Sequence, residues 1–277
     1  MRHSLYKYYD RRQWADAFLD GKLRFRSLSY FRDYEDAQIR GDKNEGKMIF
    51  RPEDGLAITN HTQGWTKTIP WALNATAHQD GIFVFCLSRL FTDELRESFK
   101  AVACVEILNV KTLCNRIESA LPAGTAFPGK PGRERIGQAV TYYEETDNCN
   151  PTWACPDMIA ALKSKTFAWQ DEYRLVFSFT NALSFENAQY ELVRNGSSQQ
   201  VQPAEHHHHD LSVGSLRDIC RLHEFDREEI MTKRRGKTGG KTGDKKLEKT
   251  GKKLGTSMIG KCQGETEIPL HSGERTP

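Results

Sequence analysis

"LYKYYDRRQWADAFLDGKLRFRS", residues 5–27, reads as a strand, one short helix and a second strand. Leu5 to Tyr8 form the first strand. Asp10 opens the helix, with Gln13 three residues on as a variant of the capping box. Trp14, Ala15, Phe18 and Leu19 supply its apolar face, and Gly21 a left-handed stop. "KLRFRS" follows as a strand with Leu23 and Phe25 on one side.

The same rhythm continues outward. "KMIF" and "GLAIT" read as short strands, and "WTKTIPWALNATAHQDG" as a loop. "GIFVFCLS" is the most apolar segment and reads as a central strand. A helix over Thr92 to Phe99, the strand "AVACVEIL" and a helix over Val110 to Ala120 come next. The Gly- and Pro-rich "LPAGTAFPGKPGRE" is a surface loop. "QAVTYYE" reads as a strand and "PDMIAALKSK" as a helix. In "DEYRLVFSF", Tyr173, Leu175, Phe177 and Phe179 alternate with Glu172, Arg174, Val176 and Ser178, as a strand requires. "YELV" and "SLRDICRLH" complete the core. Short strands with few short helices predict a single α+β domain over residues 1–228, with a central mixed or antiparallel sheet.

Beyond about residue 230 the composition changes. Residues 231–277 hold 12 Lys or Arg against 5 Asp or Glu, within a net charge of +3 for all 277 residues. The preceding part is therefore mildly acidic. "KRRGKTGGKTGDKKLEKTGKKLG" is too polar to offset the entropy of ordering, so 229–277 is expected to be a disordered basic tail. Its Gly-Lys-Thr triplets are not phosphate loops: Met231 and Arg235 stand where the leading glycine belongs, and no apolar strand precedes them. Weak nucleic-acid contact through this tail is the one electrostatic attraction to phosphates that charge suggests.

The seven cysteines form no C-x-x-C pair. Cys86 and Cys104 sit in apolar runs and read as small buried hydrophobes, which suits a reducing, cytoplasmic setting. The N-terminus has no apolar h-region, and no apolar run is long enough to span a membrane.

Three stretches carry candidate chemistry. "YFRDYEDAQIRGDKNEG", residues 30–46, sets Glu35, Asp36, Asp42 and Glu45 among Arg32, Arg40 and Lys43. The interleaved bases compete for the carboxylates, so a paired loop walling a pocket is preferred to a metal site. The run His206 to His209 lacks partner ligands and reads as a solvated stretch, so no metal is expected. In "KSKTFAWQDEYRLVF", Glu172 opens an apolar strand with Arg174 on the same face. A carboxylate there suits a raised pKa or a bond to a ribose hydroxyl, or simply a pair with Arg174.

Residues 4–225 also resemble a large bacterial family of uncharacterised domains. The resemblance rests on Leu5, Tyr6, Lys7, Tyr8, Gly21, Leu23 to Phe25, the acidic turn at 30–46, Phe85 to Ser88, and Lys165, Trp169, Glu172, Tyr173 and Arg174. The order of these motifs is similar to that of ADP-ribosyltransferases, which implies NAD as substrate and a macromolecular acceptor, as in toxins or defence proteins. By that analogy Glu172 is the catalytic carboxylate and Gln170 helps select the acceptor. Tyr6 or Lys7 occupies the first-strand position and Ser88 the middle-strand position. Tyr8, Tyr30 or Trp169 holds the nicotinamide, and Arg26 or Arg32 meets the pyrophosphate. The chain departs from that pattern in lacking a Ser-Thr-Ser triplet and a first-strand His or Arg, unless His3 or Lys7 substitutes. A non-enzymatic binding module and a metal-dependent nuclease using the 35–45 carboxylates are the alternatives.

Overall fold

The computed structural model describes residues 4–32, 44–130, 132–147, 151–194 and 205–225. The fold is α+β, as the strand-rich pattern predicts. Eight strands form the main sheet, numbered here in chain order: β1 (Leu5–Tyr9), β2 (Lys22–Ser27), β3 (Phe83–Ser88), β4 (Ala103–Ile107), β5 (Gly137–Ala139), β6 (Glu172–Phe177), β7 (His208–Ser212) and β8 (Cys220–Glu224). Their order is β7-β2-β3-β1-β4-β8, with β6 pairing β3 and β5. Every pairing in this sheet is antiparallel. A parallel pair joins Thr141–Tyr143 to Leu162–Ser164.

One face of the sheet buries Leu23, Phe25, Phe85, Val105, Ile107, Leu175 and Phe177 under α1 (Arg12–Leu19) and α2 (Val110–Ala120). Val84 and Val176 point the other way, into a second core with Leu28, Met48, Ala75, Ile82 and Ile159. The period-2 alternation of "DEYRLVF" thus assigns both faces correctly. Gly21 follows the C-cap of helix α1 with φ +81°, and a Cβ there would lie 1.8 Å from the Gly214 carbonyl oxygen. Only glycine fits that approach.

Several local expectations need correction. Asp10 does not cap α1; Arg11 is the N-cap residue and offers no side-chain cap. The stretch expected to be a loop at 65–81 holds strands Trp65–Ile69 and Trp71–Thr76, which pair with Leu56–Asn60 and with Lys47–Phe50 and Gln189–Arg194. Partners distant in sequence stabilise Trp71–Thr76, while Trp65–Ile69 pairs across a short hairpin with Leu56–Asn60. "PDMIAALKSK" is a single helical turn, Pro156–Ile159, followed by the strand Leu162–Ser164. His208 and His209 lie in β7 opposite Arg26 and Phe25, and His209 packs on Phe179 with ring centres 4.9 Å apart, while His206, His207 and His208 are exposed to solvent as expected. Residues 226–277, the basic tail among them, lie outside the described residues. Among the described residues, no helix is long and apolar enough to cross a membrane.

Candidate functional site

The two edges of β3 are used differently. One pairs along its whole length with β6, from Glu172 opposite Ser88 to Phe177 opposite Phe83. The other is shared: β2 takes its start, with Arg26 opposite Val84, and β1 its end, with Tyr6 opposite Ser88. Strands β1 and β2 do not pair with each other. They part like a fork, and a cavity of about 870 Å³ opens there, a size usual for small-ligand sites. Lys7 fills the gap left by the missing strand. Its Nζ donates to the Cys86 carbonyl oxygen at 2.7 Å and lies 4.5 Å from the centre of the Phe85 ring.

A buried chain of charges lies at the floor. Glu172 Oε2 accepts from Lys163 Nζ at 2.8 Å, and its Oε1 accepts from Arg174 Nε at 2.7 Å. Arg174 also donates to Glu45 at 2.5 and 3.0 Å and to the Ala160 carbonyl oxygen at 2.8 Å. Lys163 donates to Gln170 Oε1 at 3.0 Å. Side chains of all four charged residues are no more than 5% exposed. Two anions against two cations balance, as burial demands. Burial alone would raise the pKa of Glu172, but Arg174 and Lys163 outweigh it and hold the carboxyl well below the usual range. The raised pKa that its sequence position suggests is therefore not found: Glu172 is an anion throughout the physiological range.

Backbone geometry aims this carboxylate. Asp171, the C-cap of the 3-10 helix Lys165–Gln170, is left-handed, with φ 41° and ψ 58°. Its carbonyl accepts from Arg89 N at 2.9 Å and its side chain pairs with Arg89. The Tyr142 hydroxyl accepts from Glu172 N at 2.7 Å. Ser88 Oγ donates to the Gln170 carbonyl at 2.7 Å and accepts from Leu90 N at 3.0 Å, so it fastens β3 to the turn before β6. Cys86 lines the cavity rather than sitting in the core. Burial pushes its thiol up to about 12, with the charge of Glu172 adding to the effect.

The walls are aromatic and cationic. Lys22, Arg24 and Arg26 alternate along β2 with the buried Leu23, Phe25 and Ser27. Arg24 makes two bonds to Asp210, at 2.6 and 2.7 Å. The Arg26 guanidinium lies 4.4 Å from the centre of the Tyr30 ring, a cation–π contact. Tyr8 donates to the Leu90 carbonyl at 3.1 Å and accepts from Thr92 N at 3.0 Å. Burial raises its phenol pKa well above the ordinary value.

Of the residues singled out from sequence, Tyr6, Lys7, Tyr8, Arg26, Tyr30, Ser88, Gln170 and Glu172 line this cavity together. Trp169 and Arg32 do not. Trp169 packs against Phe99 at 6.1 Å, behind Tyr8, and Arg32 donates to Gln79 Oε1. In the 30–46 stretch, Tyr30 and Phe31 stand on the cavity wall and Glu45 reaches its floor through Arg174. Glu35, Asp36, Arg40, Asp42 and Lys43 lie outside the described residues. Among the described residues, no group of three or more His, Cys, Asp or Glu is placed to hold a metal ion.

Lys163 was not among the residues singled out from sequence, and Glu45 was singled out only as part of the paired 30–46 loop, without its partner Arg174. Sequence reading picked Lys165, which pairs with Glu144 on the surface at 3.1 Å. Two lysines two apart beside a strand share one face, so spacing alone does not separate them; the apolar "AAL" before Lys163 is the signal for burial. Glu45 has no local signal, since its partner lies 129 residues away. Compared with known protein families, curated proteins and solved structures, the chain matches none.

Proposed function

We propose that the forked cavity binds NAD and that the protein transfers ADP-ribose from it to a macromolecular acceptor. The observation that carries this reading is the convergence of β1, β2, β3 and β6 on one cavity with aromatic and cationic walls and an ionised carboxylate at its floor. Aromatic faces and guanidinium groups suit the rings and pyrophosphate of a dinucleotide. In the reaction the C–N bond between ribose C1′ and nicotinamide breaks. Nicotinamide leaves with the bonding pair, C1′ bonds to the acceptor nucleophile, and the acceptor loses a proton. Positive charge grows on the ribose meanwhile, and a fixed anion such as Glu172 stabilises it. A carboxylate has about four lone-pair positions. Lys163, Arg174 and the Cys86 thiol engage Glu172, which leaves room for a ribose hydroxyl.

The alternative of a non-enzymatic binding module draws on a different observation. Glu172, Gln170 and Ser88 all spend polar atoms on the fold itself.

The test is nicotinamide release from NAD by purified protein with bacterial lysate as acceptor. Glu172→Gln alone leaves two buried cations against Glu45 and is expected to lose stability. Lys163→Met combined with Glu172→Gln keeps the buried charge balanced and isolates the chemistry. Wild type is expected to release nicotinamide, and the folded double variant at least 100-fold less. A wild type without release and without an NAD-dependent rise in Tm would discard the transferase reading in favour of the binding module.

A further inference from the structure

Strand β2 presents three cations in a row. Lys22, Arg24 and Arg26 stand at alternate positions on its cavity side, about 7 Å between neighbours for an extended chain. An aromatic ring stands toward each end. Tyr30 lies under Arg26. Trp14, 49% exposed, comes from α1 at the rim beside Arg11. Asp210 neutralises Arg24 by its two hydrogen bonds, and Asp10 is the other carboxylate of the rim. Arg11, Lys22 and Arg26 make no ion pair among the described residues, so the row keeps a net positive charge. Regularly spaced cations flanked by flat rings match a single nucleic-acid strand, whose phosphates repeat and whose bases stack on any aromatic face. An acidic peptide would use the cations and leave the rings idle.

We infer that this row binds single-stranded nucleic acid, with a phosphate on Lys22 and a base on Trp14, while Arg26, farther along the row beside Tyr30, is left to the pyrophosphate of NAD. The inference deepens the transferase reading by naming its acceptor class. Binding is measured without NAD, so either can fail alone.

The experiment is fluorescence anisotropy of labelled dT15 and rU15 against the full chain, from 50 to 300 mM salt. Variants Trp14→Ala and Lys22→Ala change exposed side chains and retain the basic C-terminal residues, which contribute equally throughout. Trp14→Ala is expected to weaken binding about 5- to 160-fold, the range for one lost base stack. Lys22→Ala is expected to weaken it and to reduce the slope of log affinity against log salt by about 1. Affinities and slopes equal to wild type in both variants would place all binding elsewhere and overturn the inference. Displacement of the oligonucleotide by poly-glutamate at equal charge concentration, insensitive to Trp14→Ala, would overturn it in favour of an acidic peptide.

Discussion

The ion pairs of the cavity floor and those of the outer surface join the same groups at similar distances. Arg174 meets Glu45 at 2.5 Å and Glu172 at 2.7 Å, while Arg217 meets Asp20 at 2.9 Å. Their surroundings differ: side-chain exposure is 2% for Arg174 and 54% for Arg217. Water replaces a lost partner at the surface, and salt screens the pair that remains. At the floor nothing replaces it, because the desolvation cost of each charge is already incurred and only the partner offsets it. The floor therefore holds Glu172 in one ionisation state and one place, whereas the surface pairs leave both side chains free to move.

Breaking that contrast should give a graded series. Arg174→Ala leaves Glu45 and Glu172 facing only Lys163 and is expected to cost about 3–5 kcal/mol, read as a urea midpoint. A loss under about 1 kcal/mol would mean that water reaches the floor. Acid should come next. Glu172 titrates below its unfolded value of about 4.3, so its stabilisation is complete above that pH and is lost as pH falls below it. Tm is expected to fall steeply under pH 4 in wild type and less steeply when Lys163→Met and Glu172→Gln are combined. Equal slopes would show that other carboxylates govern acid unfolding. The turn before β6 sharpens the comparison further. Asp171→Val forces a β-branched residue to φ 41° and should cost about 1–3 kcal/mol more than Asp171→Gly. Both variants lose the Arg89 pair, so their difference reads the backbone alone, and its absence would mean that the turn relaxes. Arg217→Ala anchors the small end, with a change expected within about 1 kcal/mol. A larger loss would deny the role given to exposure.

Much of the fold was legible because its signals are local. Gly21 marked the end of α1, and Val110–Ala120 carried helical spacing. The alternation in residues 171–179 placed Glu172 and Arg174 on one face. Signals that depended on partners were misread. The Trp71–Thr76 strand looks like a loop until Lys47–Phe50 and Gln189–Arg194 pair with it, and His208 and His209 look like loop until β2 lies beside them. Motif order grouped Tyr6, Lys7, Tyr8, Arg26, Ser88, Gln170 and Glu172, and these line one cavity. Trp169 stands off the cavity because an aromatic in a short 3-10 helix serves a hydrophobic cluster as readily as a cavity. Arg32 is drawn off the cavity by Gln79, a partner 47 residues away that no local pattern announces.

Sequence by itself determined which segments are strands or helices wherever periodicity and glycine placement speak, and which residues share a face, since backbone geometry repeats every two or 3.6 residues. Tertiary structure alone decided that β1 and β2 part over β3, that Lys163 and not Lys165 meets Glu172, and that Glu45 closes the chain of charges. It also decided that Glu172 is an anion. Ionisation follows from desolvation set against partner charges, and both terms come from residues brought together across the chain.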